Sequence, residues 1–156
     1  MPRSDLQNSF IDTVTDTSAT AKYPVGTRRF QDGKEYCYQQ ADDAITVNQA
    51  VKLDAAASAS GLKVTPTAAA GDSCFGVAET AIADEYYGWI TVAGVASVLV
   101  ANGTAADDPL AASAAAGVLT KAAEACSGDY EFVVGNALEA NASGSAAAKN
   151  ANITSR

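Results

Sequence analysis

Hydrophobic residues along this chain come in short runs that alternate with polar ones, and the runs are punctuated by Gly, Pro, Asn and Asp. That spacing is the two-residue period of half-buried strands, not the longer period of helices. The most strand-like run is Tyr86-Tyr87-Gly88-Trp89-Ile90-Thr91-Val92, aromatic and β-branched types that fit a pleated surface. Gly94 then permits a bend or bulge, and Val95 to Val100 continues as a second strand. Thr27 to Gln31 and Lys34 to Tyr38 flank Asp32-Gly33, a pair suited to the positive φ values of a two-residue hairpin turn. In that register Arg29 faces Tyr36 and Arg28 faces Cys37. Ala44 to Val47 and Ala50 to Leu53 read as short strands joined by Asn48-Gln49, with further strands at Leu62 to Pro66, from Phe75 to Ala78, and at Tyr130 to Val134. Trp89 is expected to supply the largest single piece of buried area.

Part of this pattern occurs twice. Phe75-Gly76-Val77-Ala78-Glu79 matches Val134-Gly135-Asn136-Ala137-Leu138-Glu139, and Gly71-Asp72 matches Gly128-Asp129 ahead of it. Val51-Lys52-Leu53 matches Leu110-Ala111-Ala112, and both Val51 to Leu110 and Gly76 to Gly135 span 59 residues. Gly61 and Gly117, each leading a strand-like run, lie 56 apart, so one loop is three residues shorter in the second copy. The repeat implies an internally duplicated β unit, because two copies are too few for a solenoid. It also decides an ambiguous stretch. Asp108-Pro109 ahead of the alanine-rich Leu110 to Ala125 suits a helix start, with Gly117 counting against a helix. The first copy is strand-like at the same place, so strand is the reading taken. The repeat likewise places a last strand near Ala151-Asn152-Ile153.

Composition narrows the function. The chain has 156 residues, a length for one domain. Much of its 48% hydrophobic content is alanine, so the core is expected to be thin. Ten basic against 18 acidic residues leave a formal charge of −8, which repels phosphates and speaks against a nucleic-acid partner or an anionic membrane surface. No apolar run is long enough for a membrane span, and the N-terminus lacks a secretory signal pattern. Histidine is absent, which removes the commonest general base. No Gly-x-Ser-x-Gly elbow or phosphate-cradling loop is present. No catalytic residue, cofactor site or metal site is assigned, and the acidic pairs Asp42-Asp43 and Asp107-Asp108 read as solvated turn residues. Cys37, Cys74 and Cys126 read as small buried hydrophobes, with a Cys74–Cys126 bridge left open.

Residues 1–22 are rich in Ser, Thr and Asp and read as an N-terminal arm, and residues 23–156 as the β domain. An arm of this composition orders only on a neighbour, with Phe10 and Ile11 as its anchor. The basic hairpin is the other candidate contact region. The residues assigned to a partner interface are Phe10, Ile11, Tyr23, Arg28, Arg29, Tyr36 and Tyr38.

Gln49-Ala50-Val51-Lys52-Leu53, Gly61-Leu62-Lys63-Val64 and Phe75-Gly76-Val77-Ala78-Glu79 set a rhythm of turns and short strands. Tyr87 to Gly94, Asp107-Asp108-Pro109-Leu110, Gly135 to Glu139 and Gly26-Thr27-Arg28 leading to Asp32-Gly33-Lys34-Glu35-Tyr36 extend it over roughly residues 23 to 153. This rhythm resembles the capsid decoration, or cement, proteins of tailed bacteriophages. The alanine-rich stretch from Ala111 to Ala125 and the weakly β-branched tail depart from it. The resemblance implies an all-β, compact barrel- or sandwich-like domain without enzymatic activity. It implies binding to the major capsid protein on the outside of the head, as a homo-oligomer with a trimer favoured. The location implied is the virion exterior, after synthesis in the host cytoplasm. The residue pattern alone also fits a tail, fibre or cell-surface β module.

Overall fold

A computed structural model of the chain describes residues 12–54, 63–122 and 133–154. Phe10, Ile11, Cys126, Gly128-Asp129 and most of the strand expected at Tyr130 to Val134 lie outside them, as do Gly61-Leu62. The described chain is almost entirely β: β1 Arg28–Gln31, β2 Lys34–Ala41, β3 Gln49–Asp54, β4 Lys63–Pro66, β5 Gly76–Ala78, β6 Tyr87–Val100, β7 Pro109–Ala112, β8 Leu119–Lys121, β9 Gly135–Ala137 and β10 Ala147–Thr154. The alanine-rich stretch is therefore strand at Pro109–Ala112 and Leu119–Lys121 with a turn between them, Ala122 is helical where strand was expected, and the tail does end in a strand.

The pairings close two five-stranded rings. β2 pairs β4, β4 pairs β3, β3 pairs β5, β5 pairs β6, and β6 returns to β2. β6 also pairs β8, β8 pairs β7, β7 pairs β9, β9 pairs β10, and β10 returns to β6. In each ring one contact is parallel, β2–β4 in the first and β6–β8 in the second. The long strand β6 thus ends the first barrel with its N-terminal half and begins the second with its C-terminal half.

The duplication is visible residue by residue. Val51 lies opposite Gly76, and Leu110 opposite Gly135, each 59 positions on. Cys37 pairs Ile90 and Tyr38 pairs Trp89, just as Ala96 pairs Ala151 and Ser97 pairs Asn150. Even the loops repeat: Asn48 (φ 66°) donates its N–H to the Ala78 carbonyl, and Asp107 (φ 67°) donates to that of Ala137. The repeated glycines have a steric cause. A Cβ at Gly76 would stand 2.5 Å from the Thr91 carbonyl oxygen, and one at Gly135 would enter the Asn152 carbonyl, the equivalent neighbour.

Three expectations need correction. Ala41 pairs Val64 as Val100 pairs Leu119, so the equivalent residues Val64 and Leu119 lie 55 apart against 59 for Ala41 and Val100, and the second loop is four residues shorter, not three. Tyr87 to Val100 is one 14-residue strand, because Gly94 at φ 102° lets the ladder turn without ending. Ala44 to Val47 is not a strand; only Ile45 bridges, to Ile82, since the backbone here makes the turn into β3.

The two cores follow the same scheme. Cys37, Ala41, Val51, Val64, Ala78, Ile90 and Val92 fill the first barrel. Their counterparts Ala96, Val100, Leu110, Leu119, Ala137, Ala151 and Ile153 fill the second, joined by Ala50 and Val77.

Candidate partner-contact surface

The hairpin forms as the turn residues dictate. Asp32 and Gly33 carry φ values of 52° and 75°, and Arg28 pairs Cys37 while Arg29 pairs Tyr36, the expected register. Its tip is fixed to the body at two points. The Lys34 ammonium donates to both carboxylate oxygens of Glu79 at 2.8 and 2.9 Å, and that carboxylate also accepts from the Thr91 hydroxyl and the Ser97 N–H. Gly94 lies so close beneath the tip that a Cβ there would stand 2.8 Å from the Gly33 carbonyl oxygen.

The seven assigned residues divide by environment. Tyr36 and Tyr38 are buried with Trp89, which is 3% exposed and part of the protein's interior as expected. Tyr38 stacks on Tyr87 at 6.0 Å and meets Tyr23 edge-on at 5.3 Å. Loss of hydration raises the phenol pKa values of Tyr36 and Tyr38. Tyr23 is half-buried on the same cluster and donates its hydroxyl proton to the Asp12 carboxylate. Arg29 donates to the Asp12 carbonyl at 2.9 Å and lies over the Trp89 ring at 5.8 Å, so Trp89 is a ring its guanidinium covers. Arg28 is exposed and bonded to Glu35, which raises its pKa.

Residues 12–22 also lie against this face. Val14 packs on the aromatic cluster, and Ser18 exchanges two backbone hydrogen bonds with Tyr87. The chain therefore enters the described structure at Asp12, beside Arg29 and Tyr23.

Sequence reasoning passed over Phe30, which is 76% exposed, the most open large apolar side chain of the described residues. It borders a groove with Glu35, Ala93 and Gly94. Strand alternation was the signal that could have found it. Phe30 sits between two neighbours, Arg29 and Gln31, that turn to the other side of β1.

The acidic pairs singled out in the sequence are engaged in local hydrogen bonds. Asp43 accepts from the Thr65 hydroxyl, Asp42 from Lys63, and Asp108 caps the Ala105 N–H, so these acids close turns and strand ends. Among the described residues, no group of three His, Cys, Asp or Glu side chains is gathered to hold a metal. Cys37 and Cys74 are free thiols, and burial pushes Cys74 up to about 12 while its Sγ donates to the Gly76 carbonyl. The surface here carries a clad aromatic face, a basic hairpin at the sheet edge and one open phenyl ring. No protein-family model matches the chain, and no curated protein sequence does.

Proposed function

We propose that this protein is a non-enzymatic structural component of a phage virion that binds the outer surface of the head and stabilises the capsid. The resemblance of its turn-and-strand rhythm to decoration proteins suggests the role. The observation that supports it best is the shared strand β6, which welds two barrels into one body, with the basic hairpin and residues 12–22 on one side of the first barrel. A rigid body with separate points of attachment suits bridging between neighbouring subunits. Repeated weak contacts on a multi-copy shell add through effective concentration. A charge of −8 suits a protein kept away from packaged nucleic acid. In this reading the partner is the major capsid protein, the assembly is a homo-oligomer with a trimer favoured, and Phe10 and Ile11 anchor the arm.

The test is to mix the purified protein with emptied, undecorated heads of the cognate phage and image them by electron microscopy. Added density at regular positions between capsid subunits is the expected outcome, and bare heads at saturating protein would refute it. Density along a tail or fibre axis would favour the alternative of a tail or fibre module. Removal of residues 1–11 is the informative truncation. A deletion through Ala21 would also strip Val14 and Ser18 from the first barrel.

A further inference from the structure

Strand β1 is paired on one side only. It hydrogen-bonds β2 and, among the described residues, nothing on its other edge. The hydrogen bonds that bind it to β2 alternate along the strand. Tyr38 donates to the Thr27 carbonyl, so by alternation Arg29 and Gln31 direct their backbone groups to β2, while the Thr27 N–H turns to the Pro24 carbonyl. The N–H and C=O of Arg28 and Phe30 point outward instead. Proteins guard such edges with charge, short length or a covering segment. Here the guard is weak: Arg28 is neutralised by Glu35 of its own hairpin, and Arg29 is turned onto Trp89 and the Asp12 carbonyl.

We propose that this edge pairs with the same edge of a second copy, antiparallel about a two-fold axis through Arg29. The strand is self-complementary in that register. Arg28 and Phe30 of one copy face Phe30 and Arg28 of the other, and each such pair exchanges two backbone bonds. Four bonds form in all, on the four residues that carry free groups. On the outer side each Phe30 ring meets the stem and guanidinium of the partner's arginine, an arrangement favourable as a cation over a ring. The two Arg29 residues meet at the axis, but their charged ends are already drawn back onto their own barrels. A four-residue edge is small beside the roughly 1,200–2,000 Å² of a stable interface. The pairing is therefore reversible and concentration-dependent in solution. A two-fold pairing closes a dimer and not a trimer, so it is a contact separate from the trimer proposed on the head, where it would link copies of neighbouring trimers.

The test is a concentration series of the full-length protein by sedimentation velocity, with hydrogen exchange on the same samples. The expected result is a monomer–dimer equilibrium in which the Arg28 and Phe30 amides become slower as concentration rises, while the Arg29 amide is protected throughout. Phe30→Lys places a cation opposite the partner's Arg28 and weakens association by about tenfold or more. Arg28→Phe combined with Phe30→Arg keeps the pairing complementary and restores it. A separate register check is Arg29→Cys, which crosslinks to itself on oxidation while Arg28→Cys does not, since only position 29 meets its own copy at disulfide distance. A monomer at all concentrations would overturn the proposal. So would a dimer that Phe30→Lys leaves intact, or one whose Arg28 and Phe30 amides stay fast.

Discussion

On the outer wall of the first barrel, Tyr36, Tyr38 and Trp89 are buried beneath Val14 and Tyr23. At the equivalent positions of the second barrel stand Val95, Ser97 and Asn150, with Val95 46% exposed. Ser18 takes up the backbone of Tyr87, whereas the equivalent Ala148 is open to solvent. The two interiors differ far less: Cys37 answers to Ala96, Val51 to Leu110, Val64 to Leu119 and Val92 to Ile153. Ring closure constrains the inward face of every strand, because side chains there must fill one fixed volume. The outward face is free to change, and among the described residues an aromatic coat covers the first barrel alone. One inward exception is instructive. The Ile45–Ile82 bridge of the first barrel becomes Thr104 and Asn141 in the second, both buried. Asn141 there donates to the Val100 and Ser145 carbonyls and accepts from Ser143, so hydrogen bonds replace apolar contact.

The sharpest way to break this comparison is a matched pair of substitutions in denaturant-unfolding experiments. Trp89→Ala should cost about 3–5 kcal/mol, the range for a large core aromatic. Asn150→Ala, at the equivalent but exposed position, should stay within about 0.5 kcal/mol. Equal losses would show that the two walls carry the same load.

Next in size are the two glycines. Gly76→Ala and Gly135→Ala should each destabilise by about 1–3 kcal/mol through overpacking. Gly135→Ala should be the worse because Asn152 approaches more closely than Thr91 does. A neutral Gly135→Ala would mean that the second barrel is slack where the first is tight.

Asn141→Ala should cost about 1–3 kcal/mol, since it strands the buried Val100 carbonyl. Asn141→Ile, which copies Ile82, should fail to restore that loss, because no donor is returned. A stable Asn141→Ile protein would show the polar pair to be dispensable.

The smallest effect is on the alkaline limb of stability. Among the described residues, the cysteine and tyrosine groups whose pKa burial raises, Tyr36, Cys37, Tyr38 and Cys74, belong to the first copy, and the counterpart of Cys74 is the exposed Val133. Each stays protonated when folded beyond the pH at which it ionises unfolded. Its contribution is full below the unfolded pKa and is lost as pH rises toward the folded one. For Cys74 that window runs from 9.0 to about 12, at no more than about 1.4 kcal/mol per pH unit. Thermal melts of Cys74→Ala should therefore lose less stability than the parent between pH 9 and pH 10. Parallel slopes would show that this thiol ionises alike in both states.

Much of the architecture was legible in the sequence because its causes are local. Asp32-Gly33 sets the hairpin and its register, and the 59-residue spacing of Val51 with Leu110 and Gly76 with Gly135 sets the duplication. The shared use of β6 was not legible, because Gly94 looks like a strand end and only the pairings on either side show the ladder passing through it. The surroundings of the candidate contact residues were legible in part. Arg28 and Arg29 stand out as charge on an acidic chain. Tyr36 and Tyr38 have the composition of an exposed patch but are covered by residues 12–23, a tertiary contact that no local pattern encodes. Phe30 looks like an ordinary alternating hydrophobe, and its exposure arises only because β1 lies outside both rings.

The central claim is that two barrels built on one strand form a single cooperative body. Native-state hydrogen exchange along β6 measures this directly. Ile90 in the first barrel and Val98 in the second should open with the same free energy, equal to that of global unfolding. Exchange at Val98 and along β10 with a distinctly lower opening energy, while Ile90 stays protected, would contradict it.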